Sequence, residues 1–158
     1  MSDQMPYYPP PSVEAAAPSG LTTLEKADLI RGVEVFSQAT VEELYRLAGM
    51  ARVVEFSPPG VLFGENDLGD SFYVLVEGSV ELASETNKTH EVVGRGEVVG
   101  LHSVLTRERR SATATVLEPT LALSIAAEDL YTVLSNNMEI VVSMFKHFVK
   151  KLEMGSRG

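Results

Sequence analysis

From Arg52 to Ile125 the chain keeps returning to one theme, a short run of β-branched and aromatic residues closed by a turn. The runs are Arg52-Val-Val-Glu-Phe56, Val61-Leu-Phe63, Phe72-Tyr-Val-Leu-Val76, Ser79-Val-Glu-Leu82, Glu91-Val-Val93, Ser111 to Val116 and Thr120 to Ile125. Between them stand SPPG, GENDLGD, EG, SETNK, GRGE and LEP, clusters of the residues that redirect a backbone. Side chains of the first kind suit a pleated, half-buried surface. Roughly seven or eight strands with turns about every 8–12 residues predict an antiparallel sandwich or barrel closed on itself.

Helical spacing flanks this region on both sides. Thr22 or Thr23 caps a helix through Leu24, Ala27, Leu29 and Ile30, with Glu25 in its first turn and a stop at Gly32. Thr40 and Glu43 form a capping box ahead of Val41, Leu44, Tyr45, Leu47 and Ala48. After the strands, Ala126 to Leu134 reads as one helix. Met138, Val141, Val142, Phe145, Phe148, Val149 and Leu152 recur in steps of three and four along a longer one. Residues 1–20 are Pro/Ala-rich without apolar periodicity and read as a disordered leader. Residues 21–154 form the domain and 155–158 a flexible tail.

At 158 residues, with 44% apolar and 22% charged side chains, the chain suits one domain. No apolar run approaches the roughly 20 residues of a membrane span, and MSDQMPYYPPP has neither the basic nor the apolar region of a secretory signal. A cytoplasmic location is expected. The absence of cysteine removes disulfides and thiolate chemistry, and a net charge of −9 repels polyanions at long range. An anionic ligand must therefore be held by a local cluster of donors. His90, His102 and His147 are widely separated and no His-x-His occurs, so neither a metal centre nor an enzyme is expected. Glu65, Asp67 and Asp70 are assigned to turn chemistry.

Two local motifs carry a resemblance to a known family. GENDLGDSFYVLVEGSVEL, Gly64 to Leu82, and GRGEVVG, Gly94 to Gly100, followed by LHSVLTRERRSAT, resemble the turn, strand and phosphate-binding cassette of cyclic nucleotide-binding domains. Asn66 stands where that family usually has glycine, and Gly69, Asp70, Tyr73 and Gly78 fit its pattern. The resemblance spans about residues 24–152. It implies a β-roll of jelly-roll type with N-terminal helices and two C-terminal helices, and a non-enzymatic regulatory domain that binds cyclic AMP, cyclic GMP or a related anion.

In the same pattern Gly100 admits close backbone approach, and the N–H groups of Leu101, His102 and Ser103 form the anion nest. Arg110 supplies a charged fork and Ser111 a hydroxyl donor. Leu101 occupies the position of the family's acidic ribose contact. Losing a charge-assisted hydrogen bond of about 1.5–3 kcal/mol there implies a ten- to hundredfold weaker hold on a ribonucleotide. Asn136, Asn137 and Ser143 are the polar candidates for facing a base. The alternative is a degenerate member that binds no nucleotide and serves in assembly, with Arg110 in a solvated loop and paired to a carboxylate such as Glu97 or Glu108. The last helix implies a lid or a homodimer contact, and the absence of a helix-turn-helix segment argues against direct DNA binding.

Overall fold

A computed structural model describes residues 20–157. All but the last residue of the expected 1–20 leader lies outside the described residues. Helix α1 (Thr23–Arg31) begins at Thr22, whose hydroxyl accepts from Glu25 N while the Glu25 carboxylate accepts from Thr22 N. Helix α2 (Val41–Met50) repeats this reciprocal cap with Thr40 and Glu43. Each arrangement satisfies two amides that a helix start leaves without intrahelical partners. Between the helices, Glu34–Phe36 form a single 3₁₀ turn that buries Val35 and Phe36.

Eight strands follow among the described residues: β1 (Arg52–Phe56), β2 (Val61–Phe63), β3 (Ser71–Glu77), β4 (Ser79–Ser84), β5 (Thr89–Gly94), β6 (Val98–Val99), β7 (Thr113–Val116) and β8 (Thr120–Ala126). They make two antiparallel sheets of four, in the orders β1-β8-β3-β6 and β2-β7-β4-β5. The chain changes sheet at Gly78, where φ is 100° and a Cβ would lie 2.3 Å from Thr120 Oγ1. Only glycine accommodates both constraints. Ser111 and Ala112, expected to open a strand, precede β7 in a bend.

Alternation along β3 and β8 builds the core on two sides. Phe72, Val74, Leu123 and Ile125 face the helices, packing with Phe36, Leu44, Leu47 and Leu130. Leu75 and Ala122 point between the sheets with Val54, Phe56, Val80, Val93, Val99 and Val116. Successive strand side chains point to opposite faces, so one strand seals both layers. Each large apolar side chain so buried contributes about 1.5–3 kcal/mol.

Helix α3 (Leu101–Thr106) follows β6, and α4 (Ala127–Ser135) and α5 (Met138–Arg157) close the chain. α5 continues through Arg157, into the segment expected as tail. Its buried face is Ile140 and Met144, packed against the 3₁₀ turn and α4. The stripe read from the sequence instead stays in solvent, with Phe145 67% and Leu152 73% exposed. α5 packs chiefly on the 3₁₀ turn and α4, and Ile140 and Met144 make that contact. No helix among the described residues is long and apolar enough to cross a membrane.

Candidate ligand-binding site

The site begins in the β2–β3 turn. Asn66 adopts φ 76°, a left-handed conformation that asparagine tolerates better than most residues. Asp67 accepts from Gly64 N, and Glu65 accepts from Ser84 Oγ and from the amides of Glu85 and Thr86. These carboxylates do the turn work assigned to them. The amide of Asn66 donates to Arg110 O and the amide of Arg110 to Asp67 O, both at 2.8 Å, so the turn fixes the backbone at Arg110. Gly69 lets the turn approach α3, since a Cβ there would lie 2.5 Å from Ser103 Oγ.

Gly100 caps α3 at φ 85°, and a Cβ on it would lie 2.6 Å from Arg110 Nη1 and 3.2 Å from the Phe63 ring. The Arg110 side chain fills that space. It is 3% exposed and donates from Nη1 to Gly100 O and Ser103 Oγ, each at 2.9 Å, and from Nη2 to Ser71 O at 2.7 Å. Phe63 lies over its face, 4.0 Å from Cζ to ring centroid, a cation–π arrangement. Asp70 Oδ1 is 3.9 Å away on a 90% exposed side chain, a distance at which water weakens the attraction. Burial draws the guanidinium pKa downward while Tyr73, Asp70 and Asp67 draw it up. The group remains a cation.

Arg110 Nε is buried without a hydrogen-bond partner. Neither Glu97 nor Glu108 pairs with Arg110: the Glu97 carboxylate accepts from Gly94 N, Asp70 is the carboxylate that comes within ion-pair distance, and two backbone carbonyls and a hydroxyl accept the hydrogen bonds.

One open cavity of about 1000 Å³ collects all six expected residues, Gly100, Leu101, His102, Ser103, Arg110 and Ser111. Their settings differ. Leu101, Ser103 and Arg110 are buried, whereas His102 and Ser111 are exposed on the cavity wall. Ser103 Oγ is committed to Gly100 O and Arg110. The polar residues proposed to face a base stand elsewhere: Asn136 and Asn137 donate to Thr132 O and Val133 O at the end of α4, and Ser143 lines a separate groove. From α5 the cavity receives His147, Phe148, Lys151 and Leu152.

Sequence reasoning missed two contributors. Phe63 stands in the sequence only as the end of a strand run, and its ring covers the Arg110 guanidinium. Tyr131 on α4 donates its hydroxyl to Val104 O on α3, and the Arg107 guanidinium sits 4.5 Å over its ring. This links the cassette helix to the C-terminal helices, a pairing across 27 residues that no local pattern announces.

Comparison with known proteins agrees with this layout. The chain is 32% identical over 117 residues to a cGMP-dependent protein kinase of Eimeria tenella, a match covering 74% of this chain and 12% of the kinase. It is similar to the N-terminal domain of a transcriptional regulator from Streptomyces coelicolor A3(2), with TM-score 0.69 and 26% identity, covering 83% of this chain and 96% of that one. The regulatory domain of Toxoplasma gondii PKA solved with cAMP shares the fold at TM-score 0.68 and 16% identity, covering 84% of this chain and 50% of that one. The profile of the cyclic nucleotide-binding domain matches residues 53–137, the span that runs from β1 past the cavity to the end of α4, and the chain belongs to that family.

Proposed function

We propose that this chain is a non-catalytic, cytoplasmic sensing domain that takes a cyclic nucleotide or related small anion in the cavity beside α3. The observation that carries this reading is the convergence of Gly100, Leu101, His102, Ser103, Arg110 and Ser111 on one cavity with a buried guanidinium among them. The first amides of α3 have no intrahelical acceptors and, with Arg110, provide the donors an anion needs. Drawing an anion to Gly100–Ser103 would shift α3, and the Tyr131–Val104 bond would pass that shift to α4 and α5. Phe148 and Leu152 would then close on the ligand. Calorimetric titration tests this: saturable micromolar binding of cyclic AMP, cyclic GMP or a related anion, weakened at least tenfold by Arg110→Lys, is expected, and no binding by any would overturn it.

A second reading, a member that binds no ligand and acts in assembly, draws support from two observations. Arg110 already donates to three protein acceptors, and the apolar stripe of α5 is exposed. A homodimer through α5 is compatible with both readings. Contact with DNA is no part of either.

A further inference from the structure

We propose that the cavity takes an amphipathic monoanion, a single carboxylate-like head on an aromatic or branched aliphatic body without hydroxyl groups. The proposal rests on the reading that this cavity is the sensing site and narrows what it senses. The wall beside Arg110 is apolar: the buried Val93 and Leu101 and the half-buried Phe63, Leu82 and Ala112 line it, and Phe148 adds a ring from α5. Of the three hydroxyls lining the cavity, Ser103 is engaged with Gly100 O and Arg110 and Thr106 with His102 O, while Ser111 is exposed. A sugar-like hydroxyl placed against Leu101 and Phe63 would lose its water and gain no partner.

Charge sets the valence of the head. Apart from the histidines, the cavity is lined by three acids, Glu34, Glu91 and Glu97, and two bases, Arg110 and Lys151. The acids are exposed and so stand toward water, leaving Arg110 as the one deeply buried charge. A second negative charge on a ligand would meet no second buried cation. Of the five N–H donors of a guanidinium, protein acceptors take three here. The unpartnered Nε is among the rest, and the Nε side of the group matches the two oxygens of a carboxylate.

The test uses 2-naphthoate, its neutral amide 2-naphthamide, cyclic AMP and cyclic GMP, titrated calorimetrically into the full chain. We expect saturable binding of 2-naphthoate, with the amide and both cyclic nucleotides at least tenfold weaker. Leu101→Glu, checked for folding by circular dichroism, is expected to weaken 2-naphthoate at least tenfold. Equal affinity for acid and amide, or tighter binding of either nucleotide, would overturn the hydroxyl-free carboxylate ligand while leaving a sensing role intact. Silence from all four ligands would remove both. The acid–amide comparison needs no variant, so a misfolded Leu101→Glu leaves the decision in place.

Discussion

Replacing Gly100 with alanine would set a methyl group 2.6 Å from Arg110 Nη1 at a φ of 85°. Left-handed strain and a displaced guanidinium act together, so Gly100→Ala is expected to lower stability by about 1–3 kcal/mol in urea denaturation. Glu65 offers a test of a different kind. The Glu85 amide first, with further help from Thr86 and Ser84, holds its carboxyl below the ordinary 4.5. A lowered folded-state pKa means that the carboxylate stabilises the fold above the ordinary value and loses that effect as pH falls through the folded one. The melting-temperature gap between wild type and Glu65→Ala should therefore be full at about pH 7 and shrink once pH drops below 4.5. Asn66 was legible in advance because left-handed backbone selects few residue types. The partners of Arg110 were not, since carbonyls at Ser71 and Gly100 carry no mark in a sequence.

Among the elements, α3 and α4 carry the coupling. Tyr131→Phe removes one hydroxyl and with it the bond to Val104 O, while the ring beneath Arg107 stays. A stability loss of about 1 kcal/mol is expected in urea denaturation, together with faster amide exchange at the start of α3. Unchanged exchange there would argue that the two helices move independently. Strands and caps were readable because their signals are local: Thr40 with Glu43, or a glycine at a turn, operates within one turn of chain. The division of α5 into buried and exposed faces was not. Its apolar residues surround most of the helix, and which of them meet the roll depends on where the 3₁₀ turn at Glu34–Phe36 sits. Periodicity therefore selected the longer stripe, whereas packing selected Ile140 and Met144.

At the scale of the molecule, the described residues leave open the cavity and the stripe of α5. Val142, Phe145 and Val149 on that helix border a groove shared with Glu34 and Gln38. If the stripe joins two copies, Phe145→Asp should convert a dimer to a monomer in sedimentation velocity, with a stability change within about 0.5 kcal/mol because the side chain is 67% exposed. A monomeric wild type would end that reading. The order of helices, roll and helices was legible from sequence because it follows from composition changing along the chain. The closed Arg110 arrangement was not, because it joins three distant segments, the start of β3, the start of α3 and the turn after β2. This arginine fastens the roll whether or not a messenger ever arrives. A lineage that abandoned its signal would keep a structural reason to retain the residue, so finding it in a related sequence does not by itself mark a working receptor.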